Sequence, residues 1–237
     1  MKNLAGILFS IGLVMATSSQ AATYADIGDV ENVSGSVMLE SPAKTRKVAK
    51  GDSLFEGETI ITTEDGVLKA LMSDGTSLSV TPNSKLKLTK FLVKADKPEG
   101  GLEIQRGAFR LISGQINKVN NGTLSITTPI ATLGIRGTDF YADAKSDELK
   151  VALIDNGVVD ITTNDGKTIT LDEPMTFIEI KLGEELPPIK TFSQSELQSI
   201  EDSFEVKSSS IYLQLLLFLA LAGYISLMYF YNKKESK

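Results

Sequence analysis

Polar and apolar residues alternate one by one through much of this chain. Lys85-Leu86-Lys87-Leu88, Thr123-Leu124-Ser125-Ile126-Thr127 and Lys167-Thr168-Ile169-Thr170-Leu171 all follow this pattern. A period of two places the apolar set on one face of a strand and the Lys/Thr set in water. Between such runs stand Asp65-Gly66, Asp74-Gly75, Asn121-Gly122, Asn156-Gly157 and Asp165-Gly166, dipeptides that accept the positive φ angles of a tight hairpin. Gly51-Asp52 and Gly57 punctuate an earlier stretch. No run between residues 23 and 182 has helical spacing. Many short strands with turn signals between them predict an all-β domain, a sandwich or roll of antiparallel strands. No fixed-period repeat of the solenoid kind is seen.

The pattern changes after Leu182. Gly183-Glu184-Glu185-Leu186-Pro187-Pro188 does not read as strand and predicts the exit from the β domain. Ser193 and Glu196 then have the spacing of a capping box, and Phe192 with Leu197 that of a hydrophobic staple. Leu197, Ile200 and Phe204 share one helical face. These spacings predict a short amphipathic helix over Gln194 to Val206, inside a linker of residues 183–210. Its apolar stripe could cover the protein's own core, the simpler reading, or meet a partner.

The two ends are hydrophobic in different ways. Leu4 to Ala16 is apolar or small, follows Lys2, and precedes Ser19 and Ala21 at small-x-small spacing; this predicts a cleaved secretory signal over residues 1–22. Ile211 to Tyr231 holds no charge and reaches the roughly 20 residues that a membrane-spanning helix needs. Tyr212 and Tyr229-Phe230-Tyr231 fall where interface anchors stand, and Lys233, Lys234 and Lys237 favour a cytoplasmic end. The expectation is a single-pass protein of the bacterial inner membrane. Residues 23–182 would form the periplasmic β domain and residues 232–237 a cytoplasmic tail. An alternative is that the C-terminal span is removed and replaced by another anchor.

Composition narrows the chemistry. The chain has 237 residues with no Cys, His or Trp. That removes a thiol nucleophile, an imidazole base and a Cys/His zinc site. Setting aside Lys2, Glu235 and the three terminal lysines leaves 20 basic and 29 acidic residues, a balance of −9. Such a domain is a poor partner for nucleic acid. The Asp residues of the turns have local backbone to bond. No phosphate loop or calcium loop is present. The expectation is a non-enzyme with no cofactor and no metal.

One segment carries more information, Thr127-Thr128-Pro129-Ile130-Ala131-Thr132-Leu133-Gly134-Ile135-Arg136-Gly137-Thr138-Asp139-Phe140. Pro129 lacks a ladder donor and should open a strand or lie on an edge. Gly134 and Gly137 flank Ile135-Arg136, which suggests a bend where backbones approach closely. Arg136 among apolar neighbours needs a carboxylate or carbonyl partner. It reads either as a buried or half-buried brace of a sharp turn, the structural expectation, or as an Arg presented to an acidic ligand.

The stretch Thr127 to Asp143 resembles the signature end of the FecR domain, with its Thr-Pro followed by Arg-Gly-Thr and an aromatic. Other parts fall in the family's order. Gly35-Ser36-Val37 resembles its opening strand, and Gly51-Asp52 through Gly57 to Thr62 its next segment. Ser73-Asp74-Gly75-Thr76-Ser77-Leu78 resembles its hairpin, and Asn156-Gly157-Val158 its closing turn. The resemblance runs from about Val33 to Ile161. It implies a β-rich extracytoplasmic module of envelope sensing. Thr128, Pro129, Gly134, Arg136, Gly137, Thr138, Phe140, Gly51, Asp52, Gly57, Asp74, Gly75 and Gly157 would be family-motif positions, structural in role. In founding members a cytoplasmic segment contacts a sigma factor. Here the expected cytoplasmic part, Asn232 to Lys237, is too short for that. Two functions remain: binding another envelope protein, with Leu197, Ile200 and Phe204 as candidate contacts, or binding a cell-wall glycan or peptide.

Overall fold

The computed structural model describes residues 25–93, 97–116, 122–205, 218, 219 and 221. The expected signal (1–22) lies outside the described residues. So does the expected span (211–231), apart from Phe218, Leu219 and Leu221. Among the described residues no helix is long and apolar enough to cross a membrane.

Seventeen strands and one helix make up the described chain. The strands are β1 (Asp26–Ser34), β2 (Val37–Glu40), β3 (Thr45–Lys47), β4 (Ser53–Phe55), β5 (Thr59–Thr62), β6 (Val67–Met72), β7 (Ser77–Val80), β8 (Lys85–Leu92), β9 (Glu99–Ile112), β10 (Thr123–Thr127), β11 (Ala131–Arg136), β12 (Asp139–Ala144), β13 (Glu148–Leu153), β14 (Val158–Thr163), β15 (Thr168–Leu171), β16 (Thr176–Lys181) and β17 (Lys190–Thr191); helix α1 is Gln194–Asp202. They form two faces of a sandwich. Sheet A runs β4-β1-β6-β7-β9-β12-β13-β16-β17. Sheet B runs β3-β2-β5-β8-β9-β10-β11-β14-β15. Among the described residues β9 and β10 are the parallel pair; the other pairings are antiparallel.

Strand β9 belongs to both sheets. Its first part pairs with β8 and β10 in sheet B, its last part with β7 and β12 in sheet A. The change of sheet falls at Gly107, whose φ of +91° an L side chain rarely adopts. A Cβ there would lie 2.1 Å from Ser84 Oγ and 2.6 Å from Ser84 Cα. Gly107→Ala should therefore destabilise the domain by about 2 kcal/mol, from backbone strain and the clash together. A urea titration with an unchanged midpoint would remove β9 as the hinge of the sandwich.

The alternation read in the sequence sets the inside. In β8 Leu86, Leu88 and Phe91 and in β10 Leu124 and Ile126 are buried, while the Lys, Thr and Ser positions, and Leu92 at the end of β8, are not. One continuous core between the sheets holds Leu86, Leu88, Leu124, Ile126, Leu133 and Ile135 from sheet B, and Leu68, Leu78, Phe109, Phe140 and Val151 from sheet A. A separate, smaller cluster lies on the outer side of sheet A: Ala152, Ile154, Phe177 and Phe192, packed by Tyr141, Met175, Leu197 and Ile200.

Two expectations need correction. Of the Asp-Gly and Asn-Gly turns within the described residues, Asp74-Gly75 and Asp165-Gly166 close hairpins, β6–β7 and β14–β15. Asp65-Gly66 and Asn156-Gly157 instead carry the chain from one sheet to the other. Gly157 adopts the positive φ that such a dipeptide allows and Gly66 does not, and the sheet to which the next strand returns is decided by packing. The chain also does not leave the β domain at Leu182, because β17 rejoins sheet A beside β16.

Candidate functional site

Most of the family-motif positions lie in turns and corners of the sandwich, while Gly134 lies within β11 and Phe140 in β12. Thr128-Pro129-Ile130 form the turn between β10 and β11. Thr128 N–H and Oγ1 donate to Ala131 O at 2.9 and 2.8 Å, and Ala131 N–H donates back to Thr128 Oγ1 at 3.0 Å. Pro129 thus sits inside a hairpin turn, where no ladder donor is required. Gly137, at φ +57°, is the corner from β11 to β12; Gly157, at φ +135°, is the corner from β13 to β14. The two corners stack: a Cβ on Gly157 would lie 2.4 Å from Gly137 O and 2.4 Å from Thr138 Cβ. Thr138 is buried, its N–H donates to Ser113 Oγ, and its carbonyl accepts from Ser113 N–H. Gly134 behaves otherwise than expected. It lies within the unbroken register of β11, and an added Cβ would make ordinary contact with Asp160. The bend is at Gly137 alone.

Gly51, Gly57 and Gly75 all stand in turns with positive φ. Asp52 accepts from Arg46 Nη1 at 3.0 Å and from Ala49 N–H at 2.9 Å. Asp74 is buried, and its carboxylate accepts from Thr76 N–H, Thr76 Oγ1 and Ile116 N–H. A carboxylate so occupied has its lone pairs committed to the fold.

Arg136 is not buried. Its side chain is 66% exposed and pairs with Asp160 at 2.5 Å. The period of β11 sends Leu133 and Ile135 inward and Arg136 outward, so apolar neighbours in sequence are opposite neighbours in space. The expected carboxylate partner is there, but in solvent, where such pairs contribute little. Arg136→Ala should lower stability by less than about 1 kcal/mol. A larger drop in melting would show that Arg136 holds the corner.

The arginine that is partly withdrawn from water is Arg110 on β9. It grips Asp139 with two bonds, Nε to Oδ1 at 2.9 Å and Nη2 to Oδ2 at 2.8 Å. The side chains are only 20% and 16% exposed. The Asp139 carboxylate raises the Arg110 pKa further above its ordinary range, with Glu201 adding to it. Arg110 Nη1 also donates to Glu201 Oε1 at 3.3 Å. Glu201 belongs to α1, so one guanidinium ties the helix to both central strands of sheet A. The sequence marks Asp139 only as a member of the motif segment and gives no pointer to Arg110, because their pairing across β9 and β12 is set by register.

Helix α1 forms as its spacing predicts, ending at Asp202; Val206 lies outside the described residues. Ser193 caps it, with Glu196 N–H donating to Ser193 Oγ at 3.3 Å and Ser193 N–H to Glu196 Oε2 at 2.7 Å. Bonding to Ser193 holds the Glu196 carboxyl below its usual range. The helix lies on the outer face of sheet A. Phe204 meets Tyr141 edge-on, centroids 6.1 Å apart, and Phe192 meets Phe177 at 6.4 Å. Lys150 Nζ sits 4.5 Å from the centre of the Phe177 ring. Burial raises the Tyr141 pKa. Leu197 and Ile200 are half-buried against the outer cluster and Phe204 is 3% exposed. All three lie against the protein's own sheet, the simpler of the two readings of the stripe.

Two clefts flank these features. A polar groove of about 350 Å³ runs beside α1, with Lys69, Ser79 and Arg110 on the sheet side and Gln198, Glu201 and Phe204 on the helix side. Leu71 and Ile112, both more than two-fifths exposed, lie in the adjoining row of sheet A. A second cleft of about 320 Å³ opens at the end of the sandwich over Ile130, Ile180 and Leu182, beside Lys167. Among the described residues no cluster of acidic groups could hold a metal ion.

The family model described as FecR protein matches residues 58–159 of this chain. The match includes the Arg136-Gly137-Thr138 corner, Asp74-Gly75 and Gly157; Gly51 and Asp52 precede it. No curated protein matches the sequence. Two crystal structures of a "putative anti-sigma factor" from Parabacteroides distasonis align with part of this chain. Both are 12% identical over 60% of this chain, with a TM-score of 0.49. The alignments cover 63% and 62% of those proteins, so this chain spans less than two thirds of their length. A structure described as a cell surface anchoring domain is 30% identical over 27% of this chain and 87% of its own, with a TM-score of 0.27.

Proposed function

We propose that this protein is a non-enzymatic interaction module of envelope signalling. It is held at the inner membrane by residues 211–231, with its β domain in the periplasm, and it binds another envelope protein. The observation that carries this reading is the match of residues 58–159 to the FecR family model, followed by the docked helix and an uncharged apolar segment in the sequence. A binding role also accords with the carboxylates of Asp74 and Asp139, which are occupied by internal donors. The cleft at the sandwich end has no aromatic side chain in its lining, which weighs against sugar stacking there.

The test is photocrosslinking of the full chain in membranes, with reactive residues on both sheet faces. A specific adduct with another protein is the expected result. Retention of the chain on purified wall glycan, with no protein adduct, would transfer the reading to a glycan-binding module.

A further inference from the structure

We infer that the outer face of sheet A is a helix-binding site, that α1 is its displaceable internal occupant, and that the external occupant is an acidic amphipathic helix of the partner protein. The inference rests on the envelope-binding reading above and names the surface it uses.

Three observations converge. First, the apolar cluster under α1 is separate from the core between the sheets. Losing α1 would uncover Tyr141, Ala152 and Phe177 while leaving the sandwich core closed. Second, the helix itself is held lightly. No residue within α1 is fully buried and the strand leading into it pairs through two residues only; its anchors are Phe192 and Phe204 just outside its ends, buried against Phe177 and Tyr141, and the Arg110–Glu201 contact. An element with so few buried contacts opens at a lower free energy than the body that it covers. Third, the two surfaces are complementary in charge. The last turns of the helix carry Glu201 and Asp202 and no basic residue. Glu201, with Glu205 just beyond the helix, faces Arg110 and Lys69 across the groove, while the charge of Lys150 acts on Glu196.

The resident helix therefore defines what fits: apolar side chains at the spacing of Leu197, Ile200 and Phe204, with a carboxylate one position after the second of them to meet Arg110. While α1 stays docked the site is closed, and the apparent affinity for an outside helix falls by the closed-to-open ratio. Linking the site to the segment that follows α1 makes opening and partner binding a single equilibrium.

The test uses the full chain, purified in detergent, and a labelled peptide of residues 190–205. The double variant Leu197→Asp/Phe204→Asp should bind the peptide at least about tenfold more tightly than the unaltered chain does. A peptide carrying Glu201→Lys should lose about that factor. Amide exchange should show α1 opening ahead of the sandwich strands. Equal peptide binding by both chains, or collapse of the whole domain in the double variant, would overturn the inference, because α1 would then be part of the fold. The identity of the outside occupant is read with a photoreactive residue at Lys150 in the double variant, in membranes. An adduct with another protein supports it. Adducts only from sheet B, with none from Lys150, would keep the envelope-binding reading and remove this site.

Discussion

Phe140→Ala is expected to lower the unfolding free energy by about 3–5 kcal/mol, the range for removing a ring from a closed core. Phe140 has no solvent exposure, and its ring meets Phe109 edge-on, centroids 5.7 Å apart. These are the largest side chains in the core that have no exposure, both from sheet A and placed side by side by the β9–β12 register. The backbone around them is pinned, since β12 is paired on both edges. The walls can close only partly over the hole, so both the transfer cost and the cavity cost apply. Urea unfolding followed by circular dichroism measures the change. Phe140→Leu should lose much less because it keeps most of the volume. If Phe140→Ala lost under 1 kcal/mol, the two sheets would not share one core at this point.

Arg110→Ala is expected to be the second largest change, a loss of about 3 kcal/mol. Removing one partner of a buried pair strands the other charge, and the cost falls at the low end of that range because about a fifth of each side chain still meets water. Asp139 would keep its place in β12 with no guanidinium before it. The same substitution frees Glu201, so amide exchange in α1 should accelerate more than in the strands. A double-mutant cycle with Asp139→Asn separates the pair from its surroundings; a coupling near zero would mean that Arg110 acts through packing of its stem. The contrast with Arg136 is direct. Both arginines have a carboxylate partner, and lower exposure together with the two-bond grip and the added Glu201 contact separates a costly loss from a minor one.

The legible part of this fold was local. Lys85 to Leu88 and Thr123 to Thr127 show which side chains face the core, because side-chain direction in a strand follows the count of residues. Ser193 and Glu196 predict the start of α1, because the cap is made within four residues. Asp74-Gly75 predicts its hairpin for the same reason. The misread positions are those where a local signal has two tertiary outcomes. Asp65-Gly66 and Asn156-Gly157 have the turn chemistry of a hairpin, yet they connect the two sheets. Gly134 has the look of a bend, yet a Cβ would fit there. Arg136 sits among apolar residues in sequence and faces solvent in space.

By itself the sequence determined the β periodicity, the inward residues of β8 and β10 and the cap of α1, since each depends on neighbours a few residues apart. The tertiary structure alone decided that β9 serves both sheets and that Gly137 stacks on Gly157. It also decided that Arg110 joins Asp139 to Glu201 and that the apolar stripe of α1 lies on its own sheet. These depend on pairs 20 to 91 residues apart, whose meeting is fixed by strand register and by the burial of apolar surface, and no count along the chain carries that information.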